Sequence, residues 1–300
     1  MKLAFIGLGA MGGPMAKNLR KKGCDLTVIA RRPEVKAEYA ALGCTVNKKA
    51  ANAAGCDLIF LCLPSEAAVE SVLLGEDALL SRMEAGQYIV DCSTIGYLTA
   101  TKYAALCEEK GIRYLDAPIS GHHAKAVDGT LTIMCGGREE DFKAVKPFLE
   151  KMGSLILHMG PAGSGQLTKM INNCALNICT ASFCELMPLG VKLGLSAEKL
   201  GEVLMTATGS SYASKTLIPE ILEGNFEHGF TMEKAYKDMK SMLEVSSRYA
   251  VPLPTLYGTL QTYQLALLTG QGDKYKGAMI RFYEDLLGVA CRRSDNNKEE

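Results

Sequence analysis

The run Leu3-Ala-Phe-Ile-Gly7-Leu-Gly9-Ala-Met-Gly12-Gly-Pro14 decides the fold. An apolar stretch meets Gly7, Gly9 and Gly12 in the spacing GxGxxG, and a helix-like segment follows at once. Gly7 permits the tight turn, Gly9 lets backbone approach a pyrophosphate, and Gly12 lets the helix pack close to the strand. The phosphates then sit at the helix N-terminus, where unpaired N–H groups and the dipole favour negative charge. Residues 24–29 (Cys-Asp-Leu-Thr-Val-Ile) read as a second strand, and 10–22 as the crossover helix, so the unit has the length of a dinucleotide fingerprint. The glycine density, and the lack of a small-x-small cleavage site, argue against reading Lys2 and the apolar run as a secretory signal.

Working outward, strand-like runs fall at 2–6, 25–30, 57–62, 87–91, 113–116, 131–135 and 154–157, with helix-like segments at 10–22, 34–42, 65–73, 98–110 and 139–151. Most of the strands are short and apolar throughout, as expected when both faces are buried. The alternation predicts an α/β fold with a Rossmann-type doubly wound sheet over 1–160. Near 160 the pattern changes. Gly160, Pro161, Gly163 and Gly165 punctuate the chain, and strand signals stop. Residues 161–300 read as an all-α domain, opening on a long helix over 164–193 with Pro188 as a possible kink. Further helices fit 196–206, 213–223, 231–248, 254–269 and 275–290, and the polar tail 292–300 is expected to fray. A nucleotide-binding half joined to a helical half predicts a small-molecule cleft at the boundary.

Composition narrows the function. Across 300 residues, Lys+Arg and Asp+Glu are both 33, so no global basic field favours nucleic acid. The most apolar stretch, 174–195, is interrupted by Asn177, Glu185, Pro188 and Lys192, so no membrane span is expected. The 11 cysteines include no CxxC pair and no zinc spacing, so no metal is expected; buried free thiols in a reducing cytoplasm account for them.

Five ordered segments resemble the β-hydroxyacid dehydrogenase family, which includes 3-hydroxyisobutyrate dehydrogenase, tartronate semialdehyde reductase and glyoxylate/succinic semialdehyde reductase. They are Gly7–Leu19, Asp91-Cys-Ser-Thr94, Tyr114–Gly121 continuing through Gly129–Gly137, Gly160–Asn173, and Phe230 through Lys237-Asp238-Met239. The resemblance covers nearly the whole chain. It implies an NAD(P)-dependent enzyme acting on a small carboxylate-bearing substrate. It also implies that Lys169 is the catalytic acid/base and that Asn173, one turn later on the same helix face, holds substrate and lysine. From the helix alone, Lys169 would read as a surface lysine; partial burial would bring its pKa down toward a useful range.

The resemblance further places Ser120 and Gly121 at the substrate carboxylate, although Ser-Gly alone is a turn. It places Thr94 at cofactor and substrate, against the alternative of a helix N-cap. It carries Lys237 to the nicotinamide end of the site. Asp238 beside it reads equally as a substrate contact or a solvated helix face, and Phe230 as pocket wall or core. Leu8, Ala10 and Met11 of the glycine turn, and Leu63-Pro64 at the end of a strand, match the cofactor loops. The chain departs from the family at Ser120-Gly121-His122-His123, where a second glycine is usual. His122 would sit near the carboxylate clamp, yet two imidazoles directed to solvent from a loop is the favoured reading. It departs again at Gly96-Tyr97, where a helix-starting proline is common.

Cofactor choice turns on the end of the second strand, Val28-Ile-Ala-Arg31-Arg32-Pro33, which has no acidic residue until Glu34. An acidic side chain there would accept from the NAD ribose 2′-OH, whereas an arginine fork suits the 2′-phosphate of NADP. NADP(H) is therefore favoured, with NAD(H) possible. The leading expectation is NADPH-dependent reduction of a small aldehyde or keto acid, of the glyoxylate or succinic semialdehyde type. The alternative is a 3-hydroxyisobutyrate-type NAD(P)+ dehydrogenase. An imine reductase or a non-catalytic cofactor-binding protein would typically lack the lysine at 169, and a 6-phosphogluconate dehydrogenase would have a longer helical domain. A homodimer or homotetramer through the helical half is also expected.

Overall fold

The computed structural model describes residues 1–76 and 78–293. These form two compact units that divide between Lys169 and Met170. In the first, strands β1 (Leu3–Ile6), β2 (Leu26–Ile29), β3 (Thr45–Asn47), β4 (Leu58–Leu61), β5 (Tyr88–Asp91) and β6 (Arg113–Asp116) run parallel in the order β3-β2-β1-β4-β5-β6. The chain then turns back. β8 (Leu131–Gly136) lies antiparallel to β6 and to the two-residue β7 (Ile119–Ser120), and β9 (Gly153–Gly160) runs parallel to β8. Chain order reverses at the β1/β4 pair, the position where open α/β sheets bind ligands beyond the strand ends.

The continuous apolar strands follow from burial on both faces. Leu3 and Phe5 of β1 join a core with Met15, Leu19, Val28 and Phe60. Ala4 and Ile6 point the other way, into a second core with Ile59, Leu61, Val69, Leu73 and Tyr103. Each such side chain contributes about 1.5–3 kcal/mol on burial. The first core is covered by α1 (Gly12–Lys21) and α6 (Glu139–Leu149), the second by α3 (Glu66–Leu74) and α4 (Tyr97–Glu108), while Tyr39 of α2 (Pro33–Ala41) also enters the first.

Every strand and helix expected in this half is present. Four features were not foreseen: the edge strand β3, a 3-10 turn at Ala50–Ala53, the short β7, and helix α5 (His123–Asp128). β3 and β7 are too short to show a pattern. α5 corrects the expectation of a loop around the two histidines; it is closed by Gly129 at φ 69°, a conformation glycine adopts without strain.

α7 (Ser164–Lys192) is the long helix, continuous through Pro188. By length and composition it could cross a membrane, yet Cys174, Asn177, Thr180, Ala181, Phe183, Cys184 and Met187 along it are buried. Beyond it come α8 (Ala197–Thr206), α9 (Tyr212–Glu223), α10 (Met232–Tyr249), α11 (Pro254–Leu268) and α12 (Ile280–Leu287). The expected helix over 275–290 is split. A 3-10 turn, Lys276–Met279, precedes α12. The tail does not fray at its start, because Arg292 grips the buried Glu284 carboxylate with two N–H groups at 2.6 and 3.0 Å. Residues 294–300 of that tail lie outside the described residues.

Candidate active site

The glycine turn is built by close approach. Gly7 has φ +104°, and a Cβ there would stand 2.2 Å from the Cys62 carbonyl oxygen. A Cβ on Gly12 would stand 2.0 Å from the Gly7 oxygen, whereas one on Gly9 would meet nothing within 4 Å. Gly7 and Gly12 are therefore needed by the fold, and Gly9 leaves open space. α1 starts with no acidic residue in its first turn and no side-chain cap, and carries Arg20 and Lys21 in its last. Its N-terminal N–H groups thus suit an anion. A cavity of about 400 Å³ beside the turn is lined by Leu8, Gly9, Ala10, Lys17, Arg32 and His123, among others. A larger depression of about 800 Å³, lined by Lys36, Val46 and Lys48, includes no residue of the turn. Arg31 and Arg32 are exposed in the β2–α2 loop, and Arg32 makes a 3.6 Å contact with exposed Glu34. Such a surface pair is weak enough to yield to a phosphate. The residues present fit a dinucleotide.

The loops after β4 and β5 are tied together. Leu63 N–H donates to Ser93 Oγ at 2.9 Å, which fixes Leu63-Pro64 against the segment carrying Thr94. Thr94 is half-buried and is not the α4 cap, which is Gly96. Ser93 N–H in turn donates to Asp91 Oδ1 (2.9 Å), and Tyr114 O–H to Asp91 Oδ2 (3.1 Å). Full burial pushes the Asp91 carboxyl up to about 6, against the lowering effect of these bonds.

Ser120 ends β7, half-buried, and Gly121 follows at φ +139°. A Cβ on Gly121 would press on Leu131 and Lys125 at 3.0–3.1 Å. His122 is exposed at the start of α5. His123 departs from the expected solvent-facing imidazole: its Nδ1 lies 2.8 Å from the Ala10 carbonyl oxygen, joining α5 to the glycine turn.

Two further residues escaped the sequence reading. Asp116, at the end of β6, is fully buried and accepts from Gly163 N–H (2.6 Å) and Gln166 N–H (2.7 Å). It satisfies the orphan donors that open α7. Burial raises its pKa, partly offset by the backbone donors. Gln166 donates to the Ser93 carbonyl (2.7 Å) and accepts from Ile95 N–H (3.2 Å). A Cβ on Gly165 would stand 2.3 Å from the Met134 oxygen, so that glycine lets the helix start abut β8. The detectable signal was an aspartate ending an apolar strand, with a Gly-x-Gly helix start downstream.

Lys169 therefore leaves a rigidly held helix start, and it is half-buried. Asn173 follows one turn later, in the second unit, with its Nδ2 donating to Asp238 Oδ2 at 2.8 Å. With its N–H₂ engaged there, the Asn173 amide oxygen is an acceptor for an O–H or N–H group, and Asn172 Nδ2 lies 3.4 Å from it. Asp238 is 8% exposed, which removes the solvated-face reading, whereas Lys237 beside it is exposed. Phe230 is 42% exposed and so is not a core aromatic. All 11 cysteines are free, and burial raises the thiol pKa values of Cys92, Cys107, Cys135 and Cys184. Raised thiols are poor nucleophiles.

Comparison with known proteins supports the fold. Residues 2–160 match a family model described as the NAD binding domain of 6-phosphogluconate dehydrogenase. Residues 163–283 match one described as NAD-binding of NADP-dependent 3-hydroxyisobutyrate dehydrogenase. The chain belongs to the β-hydroxyacid dehydrogenase family. Among curated relatives of this family, 2-(hydroxymethyl)glutarate dehydrogenase from Eubacterium barkeri is 38% identical over 294 residues, 97% of each chain. NAD-dependent L-serine dehydrogenase from Pseudomonas aeruginosa is 34% identical over 295 residues, covering 96% of this chain and 99% of that one. The solved 3-hydroxyisobutyrate dehydrogenase of Mycobacterium tuberculosis, with L-serine, superposes with a TM-score of 0.83 at 31% identity, covering 93% of this chain and 98% of that one. As a β-hydroxyacid dehydrogenase, the protein is an NAD(P)-dependent oxidoreductase.

Proposed function

We propose that the protein reduces a small aldehyde or keto acid, of the glyoxylate or succinic semialdehyde type, to the hydroxy acid with NADPH. The observation that carries this is Lys169, half-buried on a helix whose first turn is locked by Asp116, with Asn173 one turn on. Gly7, Leu8, Gly9, Ala10, Met11, Gly12, Leu63, Pro64 and Thr94 would hold the dinucleotide, with Phe230 and Lys237 toward its nicotinamide and Arg31 and Arg32 on the 2′-phosphate. When bound, the nicotinamide supplies the hydride that adds to the carbonyl carbon.

Lys169 Nζ–H donates its proton to the carbonyl oxygen as negative charge develops there, and the neutral amine is then reprotonated from solvent. Ser120 Oγ–H and the Gly121 N–H hold the substrate carboxylate. Asn173 offers its amide oxygen to the nascent hydroxyl, held in that orientation by Asp238.

The reverse reaction, oxidation of a β-hydroxy acid with NAD(P)+, is the second reading, favoured by the relatives named for hydroxy acid substrates. Leu186 and Leu189 on α7, with Leu193 just beyond its end, leave exposed apolar side chains, which supports a homodimer or homotetramer in a reducing cytoplasm. The deciding experiment is a panel of small aldehyde, keto and hydroxy acids with each nicotinamide, followed at the absorption of the reduced ring. Activity highest for a semialdehyde or keto acid with NADPH is expected. Equal or better efficiency with NADH would overturn the cofactor assignment, and faster hydroxy acid oxidation would favour the second reading.

A further inference from the structure

We propose that His123 is a positioning residue for the dinucleotide: it supplies the hydrogen bond that Pro14 denies to the Ala10 carbonyl, and so fixes the peptide whose N–H meets the pyrophosphate. The inference rests on the reading of the glycine turn as the cofactor's seat. Every residue it uses lies in the first unit.

Helix α1 opens with a gap in its own bonding. Gly13 N–H donates to the Gly9 carbonyl at 2.9 Å, and Met15 N–H to the Met11 carbonyl at 3.3 Å. The bond between them in that series would run from residue 14 to the Ala10 carbonyl. Residue 14 is proline and has no N–H. The Ala10 oxygen instead lies 2.8 Å from His123 Nδ1. A carbonyl oxygen only accepts, so Nδ1 carries the proton and donates. A side chain 113 residues along the chain thus completes the first turn of α1.

The bond acts on the far side of the same peptide. The Ala10–Met11 peptide is planar and trans, so the Met11 N–H points opposite to the Ala10 carbonyl. Met11 is the N-cap of α1. Of the four N–H groups that open a helix, Pro14 lacks its own and Gly13 directs its own to Gly9. Among the described residues, that leaves the N–H groups of Met11 and Gly12 for an anion. A donor on the Ala10 carbonyl holds the first of these in aim and polarises the peptide, which strengthens the Met11 N–H as a donor. Helix α5 is held without this bond. Asn18 Nδ2 donates to the Ala126 and Val127 carbonyls at 2.8 and 3.2 Å, Ala126 is buried, and Gly129 closes the helix. The bond from His123 therefore acts on the turn rather than on the helix that carries it. The imidazole is otherwise exposed and lines the cavity beside the turn, so it fills no core.

The test measures dissociation constants of NADPH and NADH by fluorescence titration, without turnover, on wild type, His123→Leu, His123→Asn, Pro14→Ala and the double variant Pro14→Ala/His123→Leu. His123→Leu should weaken both nicotinamides by the same factor, about fivefold, because the pyrophosphate is common to them and the loss is one net hydrogen bond. His123→Asn keeps an N–H donor at the place of Nδ1 and should stay within about twofold of wild type. Pro14→Ala returns a backbone N–H to the Ala10 carbonyl, so the double variant should bind within about twofold of Pro14→Ala alone. A side chain that only filled space or anchored α5 would not be rescued from within α1. A His123→Leu protein that binds within about twofold of wild type overturns the proposal, and so does either rescue variant binding as weakly as His123→Leu. The fivefold loss with its rescue, in a protein that turns over no aldehyde, keto or hydroxy acid, would sink the reaction proposed above and leave His123 assigned; turnover with unchanged constants in His123→Leu does the reverse.

Discussion

Gly9→Ala and Gly12→Ala should fail in opposite ways. At Gly12 the new methyl would stand 2.0 Å from the Gly7 oxygen and 3.0 Å from both Cys62 Cβ and the Phe5 ring. Backbone has to move, and overpacking of this kind costs about 1–3 kcal/mol, here at the upper end. Replacing glycine at a helix start returns at most about 1 kcal/mol. The net loss is about 2 kcal/mol, or roughly 4–8 °C in Tm. At Gly9 the methyl meets no protein atom within 4 Å, so Tm should stay within about 2 °C of wild type. The methyl would instead occupy the space left for the pyrophosphate, weakening NADPH by about 30-fold or 2 kcal/mol. Thermal unfolding and fluorescence titration of NADPH on both variants separate the two effects. A stable Gly9→Ala that binds NADPH within about threefold of wild type would refute the reading of the turn.

Other substitutions probe the remaining parts. Asp116→Asn sets an amide N–H₂ against the N–H donors of α7 and should cost about 2–3 kcal/mol in denaturant unfolding, lowering kcat as well. Burial pushes the Asp91 carboxyl from its ordinary 3.8 up to about 6 in the folded protein, so its proton lends stability that is full below about pH 4 and lost as pH rises through 6. The fall in unfolding free energy between those pH values should be about 3 kcal/mol smaller in Asp91→Asn, measured by denaturant titration at each pH. Arg31→Ala should cut the ratio of NADPH to NADH efficiency by about tenfold, and an unchanged ratio would place the 2′-phosphate elsewhere.

The glycine turn, the alternating strands and the helical second half were legible because each rests on local pattern: apolar runs, glycine spacing and 3.6-residue periodicity. β3 and β7 were not, since three and two residues leave no period to read. α5 was hidden because the histidines read as a solvated loop, and the bond from His123 to the Ala10 carbonyl spans more than a hundred residues of chain. The same holds for Asp116. Its role depends on the end of one strand meeting the start of a helix 47 residues later. Asp238 reads in the sequence equally as a substrate contact or a solvated helix face, because the bond from Asn173 that holds it comes from 65 residues away. Lys276 is buried although a lysine in a polar stretch gives no sign of it.

The most direct test of the account is kcat/KM for Lys169→Ala with NADPH and the best aldehyde or keto acid of the panel, in protein whose Tm matches wild type. Loss of the proton donor should lower it by about 10²–10⁴-fold. A value within about threefold of wild type would contradict the assignment of Lys169 and the mechanism built on it.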